Sequence, residues 1–206
     1  MLKVHHLNES RSQRILWLLE ELGLDYEIIR YQRDPKTRLA PPELKAIHPL
    51  GKSPVVEDDG RMLAESGAII ETLIRRHGKG RLGPAPEDQD AYTYWLHFAE
   101  GSAMLPLMQL LYVKRLGEAG APLMPRIESE LKNHLGYMEG VLQGREFLVG
   151  NALTGADLQN SFVLESARAF RLLGEYPNLT AYLDRLHARP AYQRAVEKGG
   201  PYAMGR

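Results

Sequence analysis

Apolar positions recur along this chain with mixed periods at first and, beyond residue 86, with a helical period alone. Leu2 to Leu7 reads as a strand with Leu2 and Val4 on one face, and Ile15 to Leu22 repeats at helical spacing until Gly23 stops it. Tyr26 to Tyr31 reads as a second strand. An irregular Pro-containing segment and a short helix near Glu43 to Ile47 lead to Val55–Glu57 and Arg61–Ala64, which flank the hairpin signal Asp58-Asp59-Gly60. A helix from Ser66 to His77 follows. The order βαβαββα around a buried mixed sheet predicts an α/β domain over residues 1–77.

From Gly78 to Pro86 the composition shifts to Gly, Pro and charge, which marks 78–86 as a linker. Residues 87–206 read as an all-helical domain. Its predicted helices are Asp90–Arg115 with a kink at Pro106, Met124–Leu142, Ala156–Leu173, and the shorter Leu179–Ala188 and Ala191–Glu197. Gly78-Lys79-Gly80-Arg81-Leu82-Gly83 matches the dinucleotide pattern G-x-G-x-x-G, but that pattern needs a strand before it and a helix after it. Here it follows a helix and runs into Pro84-Ala85-Pro86, so it reads as linker. Thr154-Gly155-Ala156-Asp157 is a capping signature with Leu153 placed to staple onto Leu158, which makes Asp157 structural.

Charge narrows the partners. Lys plus Arg equals Asp plus Glu at 26 each, so no global field favours nucleic acid or an anionic membrane. The run Ile15-Leu16-Trp17-Leu18-Leu19 is too short to span a bilayer, and no basic segment precedes an apolar secretory core, so a cytoplasmic protein is expected. The chain has no Cys, which removes disulfides, thiolate metal sites and cysteine nucleophiles. His5 and His6 are adjacent on a strand and point to opposite faces, so no metal is expected there.

Candidate chemistry gathers at three places. Gly51-Lys52-Ser53-Pro54-Val55-Val56 puts a proline directly before an apolar strand, where its missing N–H calls for a sheet edge or a sharp turn; an open edge would offer backbone groups to an extended peptide. Glu65-Ser66 opens a helix whose N–H groups and dipole favour a carboxylate. Ser10, with Arg14 four residues on, precedes the first helix, and Ser10-x-x-Gln13 is equally a capping box.

On these residues the whole chain resembles the cytosolic glutathione S-transferase family, most closely its bacterial and theta-like serine-type branches. The resemblance implies a thioredoxin-like first domain and a helical second domain. It implies a cis proline at Pro54, backbone pairing of Ser53 with the cysteinyl unit of glutathione, and capture of the γ-glutamyl end by Glu65 and Ser66. Lys52 either pairs with the glycyl carboxylate or is simply solvated. Ser10 would be the catalytic residue, donating a hydrogen bond to the glutathione thiolate, with Ser12 and Asn8 as rivals within reach. The magnitudes permit this role. Lowering a thiol pKa from about 8.5 to about 6.5 takes roughly 2.7 kcal/mol, and a hydrogen bond to a charged group supplies about 1.5–3, with a helix dipole adding about 0.3–1.

The implied function is conjugation of glutathione, as co-substrate and without a metal, to an apolar electrophile, a detoxifying activity. Glutathione-dependent peroxidase, isomerase or dehalogenase chemistry on the same fold, and a non-catalytic regulatory relative, remain alternatives. Met104, Met108 and Tyr112 recur at four-residue steps and could wall the electrophile pocket or pack in the core, while Trp95 fits core packing and a dimer contact. The resemblance implies a homodimer.

Overall fold

The computed structural model describes residues 1–205, which divide into two compact units: Met1–Gly83 together with the residues from Leu186 on, and Pro84–Arg185.

In the first unit four strands form one sheet in the order β2-β1-β3-β4. β1 (Leu2–Leu7) runs parallel to β2 (Tyr26–Tyr31) and antiparallel to β3 (Val55–Asp58), with Val4 opposite Val56. β3 returns as β4 (Arg61–Ala64) through Asp59 and Gly60, whose φ angles of 50° and 76° suit a two-residue hairpin turn. The expectation of an open edge at Pro54 is not met, because β3 is an interior strand between β1 and β4. The proline stands just before the first ladder position, where no N–H is needed, and the Ser53–Pro54 bond is cis.

α1 (Gln13–Leu22) ends at Gly23, a left-handed cap whose N–H returns to the carbonyls of Glu20 and Leu19. Almost every residue of α1 is buried. One sheet can cover only one side of such a helix, and α9 (Pro190–Gly199) covers another. Tyr192 meets the Trp17 ring edge-on at 5.4 Å, and Arg194 and Lys198 reach the Glu20 carboxylate at 2.8 and 2.5 Å. Burial raises the Glu20 pKa, but the bonds from Lys198, Arg194 and Tyr26 outweigh it and hold the carboxyl below its ordinary value. The residues from Leu186 on therefore complete the first unit, whereas the sequence places them in a helical domain over 87–206. The short α2 (Leu44–Ile47) and α3 (Ser66–His77), which buries Ile69, Ile70 and Leu73, finish this unit.

The second unit is helical. The long helix expected over Asp90–Arg115 is broken into α4 (Gln89–Phe98), a π-helical turn at Ala99–Ala103, and α5 (Met104–Lys114). The distortion lies ahead of Pro106 and not at it, because a proline ring crowds the carbonyl four residues earlier, here Ser102. α6 (Met124–Val141) follows, then the largely buried α7 (Gly155–Ala169), which stops short of Leu173 as Arg171 adopts a φ of 60°. The capping box at Thr154 is formed. Asp157 accepts from the Thr154 and Leu148 N–H groups at 2.8 and 2.9 Å and from the Tyr182 hydroxyl at 2.7 Å. α8 (Pro177–His187) contains the point at which the second unit ends, Arg185, and the first resumes, Leu186. Among the described residues no helix is long and apolar enough to cross a membrane.

Candidate functional site

Hydrogen bonds tie Ser53 and the loop at Ser10 to the C-terminal end of β1, and the start of α3 to α1. Ser53 Oγ donates to the His5 carbonyl at 2.8 Å and accepts from Leu7 N–H at 3.2 Å, so a side chain extends the β1–β3 ladder one step past the His5–Val55 pair. At the start of α3, Arg14 Nη2 donates to Ser66 Oγ at 2.7 Å, and both residues are buried. A guanidinium beneath a helix N-terminus adds its charge to the positive dipole end and polarises the Ser66 hydroxyl as a donor. Glu65, the residue before, is exposed and holds φ 66° and ψ 117°, a conformation that costs a non-glycine residue about 1–3 kcal/mol. This sets its carboxylate beside the helix end without capping it.

Ser10 lies in the loop between β1 and α1 and is buried. Its hydroxyl donates to the Leu7 carbonyl at 2.7 Å, lies 2.9 Å from Ser12 Oγ, and accepts from Ser12 N–H at 3.2 Å. The capping-box reading of Ser10 fails. Ser12 holds the N-cap position, and the Gln13 side chain is buried with neither amide atom bonded back. Ser12 makes no side-chain cap bond either; its hydroxyl meets His6 Nδ1 at 2.8 Å. Burial drives the His6 pKa down to about 4, against a hydrogen bond to the Gly199 backbone, so the ring is neutral at pH 7. Ser12 is fully buried, and its hydroxyl also lies 2.9 Å from Ser10 Oγ and 3.1 Å from the Leu7 carbonyl. Asn8 Oδ1 accepts from Arg33 N–H at 2.9 Å, which orients the Asn8 amide.

Arg33 also donates to the carbonyls of Asn8 and Glu9 at 3.2 and 3.1 Å, pinning the loop in which Glu9 takes a φ of 51°. Sequence reasoning missed Arg33, which stands 24 and 25 positions from Glu9 and Asn8 with no periodic signal, and treated His6 only as a possible ligand. Lys52 is exposed beside the cis bond. In the second unit Met104 is packed in the core, Met108 is half-buried and Tyr112 is exposed on α5. Trp95 is buried and stacks on Tyr137 at 5.6 Å, so it offers no surface to a partner; Tyr94 and Tyr137 are the half-exposed aromatics there, around an open cleft of about 310 Å³. Among the described residues no group of three or more His, Cys, Asp or Glu is placed to hold a metal ion.

Residues 1–74 match the family described as "Glutathione S-transferase, N-terminal domain", and residues 101–190 match "Glutathione S-transferase, C-terminal domain". The chain is similar to Glutathione S-transferase 1 of Saccharomyces cerevisiae, at 34% identity over 96% of this chain and 95% of the yeast one. It is similar to Glutathione S-transferase 3 of Schizosaccharomyces pombe at 35% identity, covering 96% and 88%. Among solved structures, a glutathione S-transferase from Actinobacillus pleuropneumoniae superposes with a TM-score of 0.90 at 38% identity, covering 100% of this chain and 96% of the other. A glutathione transferase from Phanerochaete chrysosporium, solved in complex with oxidized glutathione, superposes at 0.80 with 25% identity and 96% coverage of each chain.

Proposed function

The chain belongs to the glutathione S-transferase family and acts as a glutathione transferase, and from that premise we propose that Ser10 holds the glutathione sulfur as a thiolate for attack on an apolar electrophile. The γ-glutamyl carboxylate lies at Ser66 and the N-terminus of α3, above the buried Arg14, and the γ-glutamyl ammonium pairs with Glu65. Ser53 and Pro54 present the backbone against which the cysteinyl unit extends, and Lys52 stands on the side of the glycyl carboxylate. The observation that carries the reading is the Ser10 hydroxyl, held at the β1 end by Leu7 O and Ser12 N–H.

Ser10 reaches the sulfur by rotating about its Cβ–Oγ bond. The rotation exchanges a neutral carbonyl acceptor for an anionic one. A bond to a neutral acceptor is worth about 0.5–1.5 kcal/mol net and one to a charged acceptor about 1.5–3, so the exchange favours the thiolate by roughly 1 kcal/mol. Catalysis follows from the lowered thiol pKa and from proximity. This is the serine-type chemistry of the bacterial and theta-like branches. The protein works in the cytoplasm as a homodimer, a reading supported by the half-exposed Tyr94 and Tyr137 and by the family.

The test is titration of bound glutathione followed by thiolate absorbance. Ser10→Ala should retain glutathione and raise the midpoint by roughly half a unit to one unit, the pH equivalent of that exchange. An unchanged midpoint in a folded, glutathione-binding variant would remove Ser10 from the mechanism.

A further inference from the structure

His6 is buried beside Ser10, and the mechanism above leaves it unused. Its ring has two polar partners, Ser12 Oγ at Nδ1 and the backbone of Gly199 at the end of α9. The Gly199 bond favours the protonated ring, so the ring donates it to the carbonyl; with Nδ1 facing Ser12, the donor is Nε2–H. A neutral imidazole has a single N–H, which leaves Nδ1 an acceptor. Ser12 must supply that proton, and it has only one. It is therefore withdrawn from the two other oxygens it could serve, Ser10 Oγ at 2.9 Å and Leu7 O at 3.1 Å.

We propose that His6 is a positioning residue that keeps the Ser10 proton turned inward: by taking the Ser12 proton at Nδ1, it leaves Leu7 O and Ser12 Oγ as acceptors for Ser10 and so limits how readily Ser10 donates to the thiolate. The proposal rests on the reading of Ser10 as thiolate donor. His6 is not the base that takes the thiol proton. With a pKa of about 4, only about one ring in a thousand is protonated at pH 7. When Ser10 turns to sulfur, the Leu7 carbonyl is uncovered unless Ser12 leaves His6 for it, and either choice strands a buried acceptor. Without an acceptor at Nδ1, Ser12 can stay on Leu7 O while Ser10 serves the thiolate, and nothing is stranded.

The variants separate the two nitrogens. His6→Gln keeps a donor toward Gly199 but no acceptor toward Ser12, and His6→Asn keeps an acceptor near the Nδ1 position. His6→Gln should lower the bound-thiol midpoint by roughly half a unit to one unit, a threefold to tenfold gain in thiolate at a given pH. His6→Asn should stay near wild type. In a Ser12→Ala background His6→Gln should do nothing further, since His6 acts through Ser12. Mere damage to the loop would move the midpoint upward, so a raised or unchanged midpoint in His6→Gln overturns the proposal. If that variant fails to fold, nitrogen-15 NMR of the wild-type imidazole decides: the Nε2–H tautomer at pH 7 is expected, and the Nδ1–H tautomer overturns it. Ser10→Ala with an unchanged midpoint would instead sink the reading of Ser10 while the tautomer result stood.

Discussion

Arg14 donates from Nη2 to Ser66 Oγ at 2.7 Å, joining the interior of α1 to the first residue of α3. The spacing of Arg14 from Ser10 suggests a partnership with that serine, yet the guanidinium bonds to the start of α3. Arg14→Lys should weaken glutathione binding about tenfold, roughly 1.4 kcal/mol, because an ammonium cannot reproduce the planar fork. Calorimetry on the folded variant checks this. Unchanged affinity would mean that Arg14 only supports the fold.

Glu65 separates stability from function. Its φ of 66° suits glycine, so Glu65→Gly should relieve strain while its lost carboxylate weakens glutathione binding. A gain of up to about 1 kcal/mol in chemical denaturation, beside a fall in affinity, is the expected pair. A variant that both unfolds more easily and binds normally would contradict it.

His6 gives stability a pH dependence with a definite sign. In the unfolded chain the ring takes up a proton near its ordinary 6.5, whereas in the folded protein it stays neutral down to about 4. Unfolding in that window absorbs a proton, so stability is complete above pH 6.5 and falls as the pH drops toward 4. The full gap corresponds to roughly 3 kcal/mol. Urea midpoints measured from pH 7 to pH 4 should show a loss that flattens in His6→Asn.

Asp157 should matter to the fold and not to the chemistry. Its carboxylate collects the Leu148 and Thr154 N–H groups and the Tyr182 hydroxyl in a fully buried site. Asp157→Ala strands those donors and should cost about 3–5 kcal/mol in denaturation experiments, whereas Asp157→Asn keeps an acceptor and should cost less. The bound-thiol midpoint should not move in Asp157→Asn.

Much of this was legible in the sequence where local chemistry decides. Gly23 as a left-handed stop, Asp59-Gly60 as a hairpin turn and Thr154 with Asp157 as a capping box each follow from residues a few positions apart. The resemblance supplied the cis bond at Pro54. Long-range relationships were hidden. Nothing near Gln13 announces that α9 will bury the far side of α1, and nothing near Arg14 names Ser66, 52 residues away. Ser10 and Ser12 were ambiguous for a related reason: which hydroxyl caps, and which serves an imidazole, depends on where His6 and Gly199 come together. Pro106 was read at the wrong point because its steric effect falls one turn upstream.

Because α9 closes the first unit, its two halves are separated in the order of synthesis by everything from Pro84 to Arg185. As the chain emerges from the ribosome, β1 through α3 appear early, but α1 then carries a bare flank around Trp17 and an unneutralised Glu20. The partners of that flank are translated only after Pro84–Arg185. The first unit is thus held incomplete until the helical unit has been made, and the flank of α1 around Trp17 stays bare while those residues are synthesised.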